Sequence, residues 1–145
     1  MKTVTALAHV AIRVKDVDRS LEFYVGKLGF PEMMRIHRDD GSLMLIYLRI
    51  TDTQFLEIFP DAVGDRSPPK EAIGYNHMCL EVADIDEALA DLHRNGVPLS
   101  QEKKVGLDRN KQAWIEDPDG NRIELMEMAA NSLQSEALAR LRASR

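Results

Sequence analysis

An internal duplication is the feature of this sequence that most restricts its fold. Residues 7–24, LAHVAIRVKDVDRSLEFY, and residues 75–92, YNHMCLEVADIDEALADL, share a His at the third position, an apolar run, a D-x-D and a Leu. His9 aligns with His77 at an offset of 68 residues (77 − 9), and the same offset holds through the D-x-D. A repeat of this length is too long for a solenoid unit and predicts two fused copies of one module.

A second pair of matching segments extends the duplication toward the end of each copy. QFLEIF, residues 54–59, aligns with NRIELM, residues 121–126, and places Glu57 on Glu124 at an offset of 67 (124 − 57). Gly29 and Gly96 match at the same offset, so one single-residue gap reconciles both sets of matches. The two copies are therefore expected to have the same order of elements.

Each copy begins with the pattern of a strand followed by a helix. Residues 7–14 alternate and are rich in β-branched residues, and the D-x-D after them offers a helix N-cap. Apolar residues then recur at helical spacing in both copies, and Gly29 and Gly96 are placed as helix C-caps. The two apolar stripes are Val17, Leu21, Tyr24 and Leu28, and Ile85, Leu89 and Leu92.

Three strand candidates complete each copy. In the first they are EMMRIHR, LMLIYLRI and QFLEIF, with the turn DDGS between the first two; in the second they are PLSQEKK, KQAWIED and NRIELME, with the turn DPDG. The predicted fold is α+β, with two tandem βαβββ modules. Over the single domain 1–145 we expect module one at residues 5–62, a linker at 63–74, module two at 75–128 and a C-terminal helix at 131–143.

The composition excludes several classes of partner. The chain has 145 residues, of which 44% are hydrophobic and 30% charged, as in an ordinary globular protein. A net charge of −5 argues against nucleic acid, and no apolar run approaches the about 20 residues of a membrane span. The first apolar stretch is broken by His9 and Arg13 and is not a signal peptide. The single cysteine, Cys79, excludes an internal disulfide and favours a reducing cytoplasm.

Strand alternation predicts which side chains share a face with the histidines. The helix-facing sets are wholly apolar: Val10, Ile12 and Val14; Leu56 and Ile58; Met78, Leu80 and Val82; Ile123 and Leu125. The opposite sets are His9, Ala11 and Arg13; Phe55, Glu57 and Phe59; His77, Cys79 and Glu81; Arg122, Glu124 and Met126. Each His and each Glu of the duplicated positions thus falls on the face away from the helix.

These four residues form a candidate metal site. If the two faces line one concavity, two imidazoles and two carboxylates converge, which is unfavourable without a compensating positive charge. A divalent cation such as Zn, Ni, Co, Mn or Fe(II) accepts this ligand set and keeps positions open for water or substrate. Taken singly, each residue is also compatible with an ordinary surface or core position. The duplicated placement on one face favours metal ligation by His9, Glu57, His77 and Glu124.

The quoted motifs resemble the vicinal oxygen chelate superfamily over about residues 7–128. The resemblance lies in the H-x3-R-V-x-D-x-D-R-S-L-x-F-Y-x-x-x-L-G-F run, the F-L-E-I strand, the N-H-M-C-L-E-V-x-D strand and the E-D-P-D-G-N-x-I-E-L ending. The superfamily includes glyoxalase I, methylmalonyl-CoA epimerase, extradiol dioxygenases and antibiotic-resistance proteins. In it, paired modules form an open, cup-shaped mixed β-sheet around a metal ion. The resemblance implies the same architecture here.

Within the superfamily, the ligand pattern is most similar to that of glyoxalase I, in which each module supplies a His and a Glu. A carboxylate at the position of Glu57 distinguishes that pattern, because the dioxygenases use three protein ligands and the epimerases usually carry an amide there. The resemblance implies a divalent-metal-dependent lyase or isomerase, which moves a proton next to a carbonyl through a metal-bound enediolate. It implies Zn, Ni or Co, with Fe or Mn as further candidates. Glu124 is the expected base, and Glu57 is the equivalent residue of the other module. Both are also expected ligands.

Four further residues are candidates for binding a small-molecule substrate. Arg13 and Arg122 share the faces of His9 and Glu124 and are suited to an anionic tail, although each could simply pair with a nearby acid. The resemblance to glyoxalase I favours Arg13. Phe55 and Trp114 are expected in an apolar wall or in the core. Where glyoxalase I carries an Asn for glutathione, this chain continues I-F-P-D, which leaves the substrate open.

Two other functions remain open on the sequence. One is a different metal enzyme of the superfamily, an epimerase or a ring-cleaving dioxygenase. The other is a non-catalytic protein that binds a small molecule or an antibiotic. The resemblance also implies a homodimer. Some relatives build each metal site from modules of two chains, so the sequence leaves open whether His9 and Glu57 join His77 and Glu124 within one chain or across two.

Overall fold

A computed structural model describes residues 3–144. The chain divides into two compact units, with the boundary between Ser67 and Pro68. This boundary lies inside the segment 63–74 that the sequence assigns to a linker. Within residues 3–144, no helix is both long enough and apolar enough to cross a membrane.

Unit 1 is a four-stranded mixed sheet with one helical segment. Its elements are β1 (His9–Arg13), α1 (Val17–Leu21), a π-helical extension of α1 (Glu22–Lys27), β2 (Glu32–His37), β3 (Leu43–Arg49) and β4 (Phe55–Phe59). The strand order is β1-β4-β3-β2. The first strand, β1, runs parallel to the last, β4, whereas β3 is antiparallel to both of its neighbours.

Unit 2 repeats this arrangement. Its elements are β5 (Met78–Glu81), α2 (Ile85–Arg94), β6 (Gln101–Val105), β7 (Lys111–Glu116), β8 (Arg122–Glu127) and α3 (Leu133–Ala143). The strand order is β5-β8-β7-β6, with β5 parallel to β8. The predicted α+β fold of two βαβββ modules and a C-terminal helix is therefore confirmed. The predicted strand PLSQEKK begins three residues later than expected, because β6 starts at Gln101.

The D-x-D of each copy starts a helix through its first Asp. The Asp16 carboxylate accepts a hydrogen bond from the Arg19 N–H at 3.0 Å, and the Asp84 carboxylate accepts from Asp86 and Glu87 at 2.7 and 3.0 Å. The two backbone N–H groups hold the pKa of Asp84 below its usual value. The duplicated motif is thus a pair of N-caps, as the sequence predicts.

The first helix departs from the predicted regular apolar stripe. It is α-helical only over Val17–Leu21 and continues with six π-helical residues, in which the Leu28 N–H donates to the Phe23 carbonyl at 2.9 Å. Phe23 and Tyr24 are adjacent in sequence, yet both are buried, with ring centroids 5.1 Å apart. The wider π-helical turn directs both aromatic rings toward the core, which the 3.6-residue period of an α-helix does not favour.

The predicted division of strand faces is confirmed in both units. The helix-facing residues are buried or half-buried, and the most enclosed are Ile12, Val14, Leu56, Ile58, Met78, Ile123 and Leu125. On the opposite faces most side chains are exposed or half-buried. Glu57 is the exception, since it is only 7% exposed. A carboxylate buried to this degree needs partners, and the residues around it are described below.

The C-terminal helix is tied to its own unit at its first turn. The side chain of the buried Asn110, in the β6–β7 turn, accepts from the Ala129 N–H at 3.0 Å, and the Leu133 N–H donates to the Asp108 carbonyl at 2.9 Å. Ser132 caps the helix by accepting from the Ser135 N–H. These contacts order the start of α3 on unit 2.

Two glycines three residues apart predict opposite responses to the same substitution. Gly29 ends the first helix at φ +75°, where an L-residue is strained, so Gly29→Ala should lower stability by about 1–2 kcal/mol. Gly26 lies within the π-helical turn with no atom within 4 Å of an added Cβ, and Gly26→Ala should raise stability by about 0.5–1 kcal/mol. Urea unfolding of both variants measures the difference. A loss of stability in both would contradict the assigned backbone at Gly26.

Candidate metal centre

Unit 1 places His9 and Glu57 side by side on one face of its sheet. The register of β1 and β4 pairs Ala11 with Glu57, and His9 lies two residues before Ala11 on the same face. The His9 Nε2 is 3.6 Å from the Glu57 Oε2. The Glu57 side chain is 9% exposed and that of His9 46%. The carboxylate is therefore enclosed, while the imidazole remains open to solvent.

Unit 2 contains the equivalent pair. Cys79 pairs with Glu124 across β5 and β8, and His77 precedes Cys79 by two residues on the same face. The His77 Nε2 is 3.2 Å from the Glu124 Oε2, and the two side chains are 31% and 12% exposed. Each unit thus forms a two-donor half-site, which consists of His9 and Glu57 in unit 1 and of His77 and Glu124 in unit 2.

The nitrogen–oxygen separations fit two ligands of one cation. With metal–ligand bonds of about 2.1 Å, two ligand atoms lie about 3.0 Å apart at a right angle and about 3.4 Å apart at the tetrahedral angle. A direct charge-assisted hydrogen bond is shorter, at about 2.7–2.9 Å. The observed 3.6 and 3.2 Å are closer to the ligand separations. Imidazole and carboxylate are also donors that Zn, Ni and Co accept.

The hydrogen bonds of Asn76 orient His77. The Asn76 Nδ2 donates to the Lys70 carbonyl at 2.7 Å, so its Oδ1 is the atom that lies 2.8 Å from the His77 Nδ1. An amide oxygen only accepts, so Nδ1 carries a hydrogen and the neutral ring has its lone pair on Nε2. That nitrogen lies 3.2 Å from the Glu124 Oε2. Two acceptors face each other, and a positive species between them, a metal ion or a proton, resolves the repulsion.

Tyr47 holds the carboxylate of unit 1. It lies opposite Glu57 in the β3–β4 register, and its ring makes an edge contact with His9 at 6.5 Å. The pKa of Tyr47 is raised, chiefly because its hydroxyl donates a hydrogen bond to Glu57, and further by burial and by the charge of Glu57. Tyr47 and His9 therefore both lie next to the enclosed carboxylate.

Trp114 takes the position of Tyr47 in unit 2. It lies opposite Glu124 in the β7–β8 register, and its ring is 4.7 Å from that of His77. Its Nε1–H donates to the Gln112 side chain at 3.2 Å, away from the carboxylate. The two half-sites thus share a scaffold but differ in their neighbours. Phe55 is half-buried and lies opposite His9 in the β1–β4 register. A substrate contact of Phe55 or Trp114 stays a prediction.

Both predicted substrate arginines donate to main-chain carbonyls. The Arg13 guanidinium donates to the Pro60 carbonyl at 2.9 Å and lies over the Phe59 ring, 5.4 Å from its centroid. Arg122 donates to the Asn76 carbonyl at 2.6 Å. Neither contact is the ion pair with an acid that the sequence also permits. A guanidinium has five N–H donors, so an anion contact for either arginine stays a prediction.

Cys79 lies beside Glu124 but is not a candidate nucleophile. The residue is exposed, but its thiol is partly desolvated. This desolvation, followed by the charge of Glu124 and its hydrogen bond, raises the pKa of the thiol to about 12. The thiol is therefore protonated at neutral pH, and the thiolate that nucleophilic attack requires is not formed.

The gathering of all four predicted ligands around one ion stays a prediction. Among residues 3–144, no group of three or more His, Cys, Asp or Glu side chains is arranged to hold a metal ion. Catalytic zinc sites have three protein ligands. Each half-site alone has two of these donors.

The sequence did not reveal the roles of Tyr47 and Asn76. Tyr47 aligns with Trp114 at the offset of 67 (114 − 47), but only the strand register shows that it lies opposite Glu57. Asn76 directly precedes His77, and the duplication obscured it because Ala8 occupies the equivalent place before His9. The signal available in the sequence was the polar Asn76 directly before a histidine that both copies of the repeat contain.

Comparison with known proteins gives the family. The chain matches the model of the Glyoxalase/Bleomycin resistance protein/Dioxygenase superfamily over residues 6–125. The match includes both half-sites, and the resemblance drawn from the motifs is confirmed.

Individual relatives cover most of the chain. Lactoylglutathione lyase of Pseudomonas aeruginosa is 28% identical, over 85% of this chain and 82% of its own length. Methylmalonyl-CoA epimerase, mitochondrial, of Homo sapiens is 29% identical, over 78% of this chain and 67% of its own length. The crystal structure of the glyoxalase family protein from Enterococcus faecalis has a TM-score of 0.75 and 32% identity, over 88% of this chain and all of that one (100%).

The contact between Tyr47 and Glu57 predicts a measurable pKa change. Glu57→Gln removes the negative charge beside the hydroxyl, so the pKa of Tyr47 should fall toward its ordinary value of about 10. Ultraviolet titration of the metal-free protein measures tyrosinate formation, and Tyr47→Phe identifies the transition. Tyr75 is the control, because burial is the first cause that raises its pKa to about 12. An unchanged Tyr47 transition in Glu57→Gln would exclude the hydrogen bond.

Proposed function

Since the chain belongs to the Glyoxalase/Bleomycin resistance protein/Dioxygenase superfamily, we propose that it is a divalent-metal-dependent lyase or isomerase of the glyoxalase I type. The observation that carries the proposal is the duplicated half-site. In each unit an imidazole nitrogen and a carboxylate oxygen lie 3.6 or 3.2 Å apart on the same face of equivalent strands. A ligand carboxylate in both modules is the pattern that distinguishes glyoxalase I from the enzymes of the superfamily that use three protein ligands.

The proposed metal ligands are His9, Glu57, His77 and Glu124. A bound Zn, Ni or Co ion supplies Lewis-acid chemistry, which polarises a carbonyl and stabilises negative charge on oxygen. The chain contributes the orientation of the donors. Tyr47 fixes the Glu57 carboxylate, and Asn76 directs the lone pair of the His77 Nε2 toward Glu124.

Glu124 is the proposed base. Glu57 is enclosed and held by the Tyr47 hydroxyl, which suits a permanent ligand. Glu124 lies opposite an indole whose N–H donates to Gln112, and its neighbour Cys79 offers a thiol, which is a weaker hydrogen-bond donor than the Tyr47 hydroxyl. A less restrained carboxylate is better suited to remove a proton from the carbon next to a carbonyl and to return it to the neighbouring carbon.

The proposed substrate is a small carbonyl compound. The face of unit 1 offers Phe55 opposite His9 and Arg13 at the other end of the same strand, and that of unit 2 offers Trp114 opposite Glu124 and Arg122 two residues before it. The aromatic residues suit an apolar group of the substrate, and the guanidinium groups suit an anionic one. Lactoylglutathione lyase among the relatives supports a hemithioacetal as the first substrate to test.

An epimerase is the second candidate function. It is favoured by the identity of 29% to methylmalonyl-CoA epimerase, which is similar to the 28% identity to lactoylglutathione lyase of Pseudomonas aeruginosa. Both reactions begin with removal of a proton next to a carbonyl. The same base and ligands therefore serve either one, and only the substrate distinguishes them.

We further propose a homodimer as the working assembly. A complete centre needs one half-site of each kind, either from one chain or from two. In both cases the stoichiometry is one ion per chain.

Metal binding should require both half-sites at once. His9→Ala and His77→Ala should each abolish tight binding of Zn or Ni, because each removes one of the ligands of a shared ion. Isothermal titration of the metal-free protein measures the stoichiometry and affinity. If either variant kept half of the wild-type capacity, the two units would bind metal independently and the shared centre would be refuted.

Mixing two inactive variants decides which chains supply the half-sites. One variant combines His9→Ala with Glu57→Gln, and the other combines His77→Ala with Glu124→Gln. If each centre forms across two chains, a mixed dimer contains one intact centre and regains metal binding. If each centre lies within one chain, mixing restores nothing. The separate variants and wild type serve as controls for folding and dimer exchange.

The two glutamates should differ in their kinetic effect. Glu57→Gln should raise the metal concentration needed for activity, with kcat recovered when metal is in excess. Glu124→Gln should lower kcat by about 100-fold or more even at saturating metal, as expected for loss of a general base. The assay follows turnover of the methylglyoxal–glutathione hemithioacetal with Ni, Co or Zn.

Three outcomes of companion assays bear on the proposal. Turnover of methylmalonyl-CoA without hemithioacetal turnover would replace the lyase assignment by the epimerase. Metal-dependent consumption of oxygen with a catechol would replace it by a dioxygenase. Equal kcat losses in both glutamate variants would overturn the assignment of Glu124 as the base.

A further inference from the structure

We infer that Asn76 is a positioning residue for His77: its side-chain oxygen holds the hydrogen on Nδ1 and so presents the Nε2 lone pair to a cation. The inference deepens the proposed function, because it concerns one ligand of the proposed centre. The two nevertheless fail separately, since the state of the ring can be observed without any metal.

The orientation of the Asn76 amide follows from its two contacts. Its Nδ2 lies 2.7 Å from the Lys70 carbonyl oxygen, and its Oδ1 lies 2.8 Å from the His77 Nδ1. The reversed amide would place two oxygens against each other at Lys70. The Lys70 carbonyl therefore fixes an acceptor at His77, and an acceptor requires that Nδ1 be the protonated nitrogen.

Arg122 fixes the backbone of the same residue. Its guanidinium donates to the Asn76 carbonyl at 2.6 Å, and Arg122 precedes Glu124 by two residues on β8. The strand that carries the carboxylate thus also anchors the residue that orients the imidazole. This hydrogen bond connects the positions of the two donors in unit 2.

We expect the neutral His77 ring to carry its hydrogen on the nitrogen that a free histidine ring does not favour. In water, neutral histidine favours the hydrogen on Nε2, which is the nitrogen that would have to bind the metal. The Nε2 of His77 is 3.2 Å from Glu124, longer than the 2.8 Å between Nδ1 and Asn76. The shorter contact is the hydrogen bond, and the longer one leaves Nε2 free to act as a ligand.

Unit 1 provides an internal control. Ala8 precedes His9 at the position that corresponds to Asn76, so that position offers His9 no side-chain acceptor. In unit 1 the residue with a hydrogen-bonding neighbour is instead Glu57, whose interaction with Tyr47 raises the pKa of that tyrosine. His9 should therefore keep the ordinary preference of a histidine ring, while His77 shows the reversed one.

Nitrogen NMR of the metal-free protein tests the inference directly. With isotope-labelled histidine, at a pH at which the rings are neutral, the wild-type His77 should carry its hydrogen on Nδ1. In Asn76→Ala it should carry the hydrogen on Nε2, and in Asn76→Asp, which keeps an acceptor, on Nδ1. The His9 signals should be the same in all three proteins. A wild-type His77 with its hydrogen on Nε2, or one unaffected by Asn76→Ala, would overturn the inference.

Zinc affinity gives a second readout that does not depend on activity. In competition with a chelator, Asn76→Ala should bind zinc about 10–100-fold more weakly than wild type, and Asn76→Asp should recover the affinity. Unchanged affinity in Asn76→Ala would overturn the positioning role. If wild type bound no zinc, nickel or cobalt while the ring showed the expected hydrogen, the proposed function would fail and the assignment of Asn76 to His77 would stand. Asn76 is exposed, so both variants are expected to fold, and urea unfolding verifies this.

Discussion

The parallel pairing of the first and last strand in each unit is the constraint on which the candidate site depends. His9 and Glu57 are 48 residues apart in sequence (57 − 9), and His77 and Glu124 are 47 apart (124 − 77). The β1–β4 and β5–β8 ladders bring each pair to one face and to separations of 3.6 and 3.2 Å. The apolar residues on the other face supply the free energy that holds this register, because a slip by one residue would move them into water. The chemistry of the face is thus stabilised by the core behind it.

The two half-sites have the same backbone and different partners. In unit 1 Tyr47 lies opposite the Glu57 carboxylate, and in unit 2 the amide of Asn76 is hydrogen-bonded to the His77 imidazole. In the proposed proton transfer, one glutamate stays in place as a ligand and the other acts as the base. The two units differ at two equivalent positions beside these groups, with Tyr47 in place of Trp114 and Ala8 in place of Asn76. The proposed division of roles between the two glutamates is based on this difference.

Much of the fold could be predicted because its signals are local or repeated. The N-caps at Asp16 and Asp84 follow from a short side chain that satisfies free N–H groups at a helix start, and the face of each strand follows from alternation. The π-helical turn at Glu22–Lys27 could not be predicted, because it accompanies the packing of two adjacent rings, Phe23 and Tyr24, in the same core. The late start of β6 likewise depends on its pairing with β7.

By itself, the sequence determined that there are two βαβββ modules, and that His9, Glu57, His77 and Glu124 lie on the faces away from the helices. Both conclusions depend on periodicity and on a repeat, which are properties of the chain in one dimension. Only the tertiary structure decided how each His meets its Glu and which residues stand beside them, Tyr47 in one unit and Asn76 in the other. Strand register and hydrogen-bond direction decide such contacts, and both arise from packing between segments that are far apart in the chain.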